Sequence, residues 1–130
     1  MRYFNAMSQT FIILGSLNAF LAVALGAFGA HGLKPILSES LMAVYQTGVQ
    51  YHSMHALGLI GIGILAQKAQ DSLFLKLSGW LLLAGIILFC GSLYILAITE
   101  IRKLGMITPF GGMSFLLGWL SLTIAAYKEL

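Results

Sequence analysis

Four stretches of this chain run without a single Asp, Glu, Lys or Arg: Thr10–Ala30, Ser40–Gln67, Leu77–Thr99 and Met106–Tyr127. A helix needs about 20 mainly apolar residues to cross the hydrocarbon layer of a bilayer, and each stretch is about that long or longer. Only two short tails and three connectors lie outside them. The pattern predicts an all-α integral membrane protein, a four-transmembrane-helix bundle forming one transmembrane domain over residues 1–130, with spans at about 10–30, 49–67, 77–99 and 107–127.

Boundary signals refine the spans. Gly29, Gly32 and Pro35 are expected to stop the first helix. Ser38 offers an N-cap to the second, with Glu39 in its first turn, where a carboxylate suits the positive end of the helix dipole. That helix can run on to Ala66. Its first two turns, around Leu41, Met42 and Val44, then form an interfacial extension ahead of the crossing part. The third helix is expected from about Leu75 to Ile98. Thr108-Pro109 reads as a start signal for the fourth, Thr as N-cap and Pro at the first helical position.

Composition agrees with this class and excludes others. Of the 130 residues 59% are hydrophobic and 8% charged, and the mean hydropathy is +0.94, outside the range of soluble domains. A net charge of +3 does not imply nucleic acid, because the basic residues stand singly or as the pair Arg102-Lys103. They suit membrane flanks. With four spans, Arg2, Lys68, Lys76 and Lys128 share the side of the termini while Lys34, Arg102 and Lys103 face the other. That difference of one residue leans weakly towards cytoplasmic termini. The first run exceeds the roughly 7–15 residues of a signal-peptide core and is expected to be a retained helix. Cys90, the lone cysteine, suits a small packing position.

In lipid, helices associate where small residues let backbones approach. Ala22, Gly26 and Ala30 on helix one, Gly58 and Gly61 on helix two, and Ser114 and Gly118 on helix four are the expected packing positions. The glycines of 26–32 lack the Lys and the strand-turn-helix setting of a phosphate loop.

Ionisable or polar side chains at membrane depth are candidates for function by default. Here these are Asn18, Tyr51, His52, His55 and Tyr94, with His31 at the end of helix one. His52 and His55 share a helix face with Tyr45, Gly48 and Leu59. Neutral imidazoles ligate metals and haem, and two of them one turn apart can share a metal, so His31, His52 and His55 are the cofactor candidates. The structural alternative is that they bond carbonyls, Tyr or Glu across the bundle. No span carries a buried carboxylate to relay protons with them, and no Ser or Cys has a recognisable base and orienting acid. The expectation is no catalytic residue, no metal and no cofactor.

Several segments recur in a known order: Leu25-Gly26-Ala27-Phe28-Gly29-Ala30-His31-Gly32-Leu33, Val49-Gln50-Tyr51-His52-Ser53-Met54-His55-Ala56-Leu57, Gly91-Ser92-Leu93-Tyr94 and Ile107-Thr108-Pro109-Phe110-Gly111-Gly112. In these the chain resembles, over nearly its whole length, the small membrane proteins catalogued as domain of unknown function 423. The resemblance implies a small multi-span membrane protein, bacterial inner-membrane or mitochondrial, and brings no reaction. Cys90 stands where many relatives carry Ser, which argues against an essential thiol.

The expectation is therefore a non-catalytic membrane protein in contact with the lipid bilayer, acting as a homo-oligomer or as an accessory subunit of a larger membrane complex, with no nucleic-acid partner. The alternatives are a His-ligated metal or haem protein and a small transporter or channel.

Overall fold

In the computed structural model, which describes residues 4–130, every regular element is helical. Helix α1 runs Ala6–Phe28 and is prolonged by a π-helical turn, Gly29–Leu33. Helix α2 spans Glu39–Leu65. Helix α3 covers Leu73–Thr99 with a π turn at Ile86–Cys90 inside it. A 3₁₀ turn, Arg102–Met106, leads into α4, Thr108–Lys128. Arg2, counted above as a flank residue, lies outside the described residues.

Three of the four helices are long and apolar enough to cross a membrane: α1 with its π turn, α3, and α4 with the preceding 3₁₀ turn. The remaining expected crossing falls in α2, which is long enough at 27 residues but is diluted by Gln46, Gln50, His52, Ser53 and His55.

Local chemistry explains most helix ends. Asn5 caps α1 by accepting from Ser8 N–H at 2.9 Å, Ser38 caps α2 through Leu41 N–H, and Ser72 caps α3 through Leu75 N–H. Each side-chain oxygen satisfies a donor that the first helical turn leaves open. Two expectations fail. Gly29 and Gly32 do not stop α1, because Lys34 N–H reaches Gly29 O at 3.0 Å and keeps the chain helical for one wider turn. Thr108 is not the N-cap of α4, since Ile107 holds that position with helical dihedrals. The Thr108 hydroxyl instead pairs with that of Ser92 on α3 at 2.6 Å.

The two main seams join α1 to α2 and α3 to α4, each pair antiparallel. On α1 the buried small residues Ser8, Gly15, Ala22 and Gly29 recur every seventh position, the repeat of helices crossing with a left-handed supercoil. A Cβ at Gly15 would stand 2.8 Å from the carbonyl oxygen of Ala56, and one at Gly29 would strike the ring of Tyr45. The stripe expected at Ala22, Gly26 and Ala30 is thereby corrected: Ala22 is buried and Gly26 lies beside Val49, but Ala30 is exposed. The four-residue spacing drifts off the seam that a seven-residue spacing follows. Gly61 is a second correction, for nothing lies within 4 Å of its would-be Cβ; Gly63, packed on Ile12 and Ser8, is the close-approach residue there. Gly58 sits against Leu82 and Trp119. On α4, Gly118 meets Leu82, and the Ser114 hydroxyl donates to Leu81 O at 2.7 Å.

Candidate functional site

The two histidines of α2 turn inward and between them meet partners from every other helix. His52 is 4% exposed and His55 2%. Although they stand one turn apart on one face, their rings diverge, His52 towards α1 and α3 and His55 towards α4.

Around His55 the proton positions follow from the partners. The indole Nε1–H of Trp119, which can only donate, points at His55 Nε2 at 3.0 Å. Nε2 is therefore the acceptor, and Nδ1 carries the ring proton and donates it to the Tyr51 carbonyl at 2.7 Å. Phe115 stacks on the imidazole with centroids 3.6 Å apart and planes 12° off parallel. Gly85 leaves room for that phenyl ring, since a Cβ there would overlap it. Tyr51 packs its ring between α3 and α4 against Phe89 and Phe115, though 37% of its surface stays exposed.

His52 takes the opposite tautomer. The Asn18 amide nitrogen donates to Leu14 O at 2.8 Å, which turns its oxygen Oδ1 towards His52 Nε2 at 2.9 Å. An amide oxygen accepts only, so Nε2 carries the proton; Nδ1 is left to accept from the Tyr94 hydroxyl at 2.9 Å. The result is a directed chain, Tyr94 to His52 to Asn18 to Leu14 O, linking α3, α2 and α1. It ends on a backbone carbonyl that is also part of the α1 ladder. The Tyr45 hydroxyl, two turns away along α2, donates to Leu25 O across the α1–α2 seam, and its ring lies against Tyr94.

These bonds bear directly on ligation. A neutral imidazole binds a metal through its one unprotonated nitrogen, and in both rings that nitrogen is already an acceptor, from Trp119 in one and Tyr94 in the other. The two rings also face different helices, which corrects the expectation that residues one turn apart could share an ion. His31 joins neither: it lies exposed in the π turn after α1. Among the described residues no three His, Cys, Asp or Glu side chains are grouped so as to hold a metal. Cys90 is buried in the α3 π turn and packs with Leu82, Ile86 and Phe115 in the main core.

Sequence reasoning missed four contributors. Trp119 carries the only polar atom of its side chain in the middle of α4, and that isolated N–H was the available signal. Asn5 and Ser8 precede the first apolar run and tie α1 to the end of α2, through Asn5 Nδ2 to Ala66 O at 2.7 Å and Ser8 Oγ to Gly63 O at 2.6 Å. Glu129, near the C-terminus, accepts from Ser72 Oγ and from the backbone N–H groups of Leu73 and Phe74 at 3.0–3.1 Å. It thus caps α3 from another helix. Those bonds, that of Phe74 foremost, hold its carboxyl below the ordinary glutamate range.

Fold and site together define a small all-helical membrane protein whose buried polar side chains bond helix to helix. The chain belongs to the family described as Protein of unknown function (DUF423), whose sequence profile matches residues 25–112. It is 52% identical over 122 residues to the UPF0382 membrane protein YwdK of Bacillus subtilis, covering 94% of this chain and 99% of the relative. A UPF0382 membrane protein of Staphylococcus saprophyticus is 50% identical over 120 residues, with 92% and 98% covered. One of Staphylococcus epidermidis is 49% identical over 120 residues, with 92% and 97% covered. No solved structure matches the chain.

Proposed function

We propose that this protein is a non-catalytic subunit of the bacterial plasma (inner) membrane that crosses the bilayer four times and acts as a homo-oligomer or as an accessory component of a larger membrane complex. The observation that carries this reading is the occupation of both buried imidazoles. His52 and His55 use each ring nitrogen on a neighbouring helix or backbone carbonyl, and so serve as fasteners of the bundle rather than as ligands. The inward turn of His52 and His55 supports the crossing of α2. Imidazoles are acceptable at membrane depth when they face the bundle and are bonded there, as these are.

The test is purification from membranes in a mild detergent, followed by optical and metal analysis and by identification of co-purifying chains. The reading requires the protein to lack stoichiometric metal and a Soret band and to run larger than one chain. Haem or metal at one equivalent, lost on His52→Gln or His55→Gln, would favour the His-ligated alternative. Reporter fusions at Leu130 and within the α2–α3 connector should give the same compartment, and fusions in the α1–α2 connector the opposite one. Cytoplasmic termini are the orientation that the basic count supports.

A further inference from the structure

Within α2 almost every polar side chain at the level of the histidines is bonded. Thr47 donates to Ala43 O and Ser53 to Val49 O, and both imidazoles are satisfied. Gln46 and Gln50 are different: both are exposed, one turn apart, and neither carboxamide makes a hydrogen bond among the described residues. Together with Val49 of α2 and Gly26, Gly29 and Ala30 of α1 they line an open groove of about 190 Å³.

Their depth follows from the α1–α2 seam. His52 meets Asn18, Val49 lies against Gly26, and Tyr45 reaches Leu25 O. Gln50 is therefore level with residues 21–25 of α1, and Gln46 with residues 25–29. The uncharged run Thr10–Ala30 is centred on Phe20, so Gln50 sits within about one turn of mid-depth and Gln46 about one turn further out, which starts the crossing part of α2 ahead of the 49–67 expected from the sequence. Lipid chains offer such amides neither donor nor acceptor, and each unmet group is costly in hydrocarbon.

We propose that two copies of this chain pair side by side and parallel through this face, Gln46 against Gln46 and Gln50 against Gln50; the proposal rests on α2 crossing the membrane. A carboxamide both donates and accepts, so it is its own complement across a two-fold axis, where the same patch meets itself. Only an axis along the membrane normal keeps each residue level with its mate. An axis in the membrane plane would set Gln46 against a level about two turns or more away. Gly26 and exposed Ala30 add no bulk, so the two α1 helices can come close.

The test uses the full chain in native membrane vesicles, with Cys90→Ala as background and single cysteines oxidised by copper–phenanthroline. Ala30→Cys and Gln46→Cys should give disulfide-linked dimers, while Leu116→Cys and Leu120→Cys, exposed on α4, should stay monomeric. Adding Gln50→Leu to Ala30→Cys should reduce the dimer by about threefold or more, the measure of one interhelical hydrogen bond of average strength, and Gln50→Asn should spare it. Equal cross-linking on α1 and α4, no dimer at Ala30 and Gln46, or indifference to Gln50→Leu would overturn the pairing. Labelling Lys34→Cys and Gln70→Cys with a membrane-impermeant thiol reagent separates the two layers. Opposite sides without cross-links sink the dimer alone, and the same side sinks the crossing of α2 and the pairing with it.

Discussion

Trp119 of α4 donates its indole N–H to Nε2 of His55 on α2 across 3.0 Å, and this bond fixes the tautomer of a histidine 64 residues away in sequence. Removing the donor leaves a buried nitrogen with nothing to accept. Trp119→Phe should therefore destabilise the protein, and a double-mutant cycle with His55→Leu should return a coupling of about 0.6 kcal/mol and at most about 1.7, the range for interhelical hydrogen bonds in lipid. Unfolding in mixed micelles measures it; zero coupling would mean the bond is not made.

The chain Tyr94–His52–Asn18 is shared by three helices, so its members should not act independently. Tyr94→Phe and Asn18→Leu should each lower stability by about 0.6–1.7 kcal/mol, and the double variant by less than the sum, because the second change removes a partner from a network already broken. Strict additivity in the same unfolding assay would contradict a connected chain.

Three of the four expected spans, and the inward His52/His55 face of α2, were legible in the sequence because both depend on local periodicity. Ser38 and the His52/His55 face are examples. What escaped is set by the approach of helices distant in sequence. Nothing near His55 says that Trp119 will reach it, and nothing near Ser72 says that Glu129 will fold back onto it. The small residues show the same limit: Ala30 and Gly61 fit a plausible spacing, but the seam follows the supercoil and takes Gly29 and Gly63. Thr108 carries a cap signature, yet a 3₁₀ turn holds the preceding residues helical and frees its hydroxyl for Ser92.

Gly15 and Gly61 make a matched pair for the seam. A methyl at Gly15 would come within 2.8 Å of Ala56 O and of Ile60 N, backbone atoms that cannot swing away, whereas at Gly61 it meets open space. Gly15→Ala should cost about 1–3 kcal/mol as overpacking, and Gly61→Ala should be neutral or slightly stabilising. Equal thermal stability of the two variants in detergent would contradict the assigned seam.

Glu129 gives the protein a defined response to acid. Its carboxyl is bonded only in the folded state, which lowers its pKa there. The folded state thus gains stability that is present above the unfolded glutamate value of about 4.3 and is lost as pH falls through the lower folded value. Melting temperature followed from neutral to acid pH should show this loss, and Glu129→Ala should be less stable at neutral pH and lack that component of the decline. An unchanged acid profile in the variant would remove Glu129 from the cap of α3.

The most direct measurement is nitrogen NMR of the histidine side chains in protein labelled at the imidazole nitrogens and held in detergent or bilayers at neutral pH. His55 should show a protonated Nδ1 and a bare, hydrogen-bonded Nε2, and His52 the reverse, with the His55 pattern disturbed by Trp119→Phe and the His52 pattern by Tyr94→Phe. Bare-nitrogen signals that move or broaden on adding a divalent metal or haem, while neither aromatic substitution alters them, would show free ligand positions and contradict a bundle fastened through its histidines.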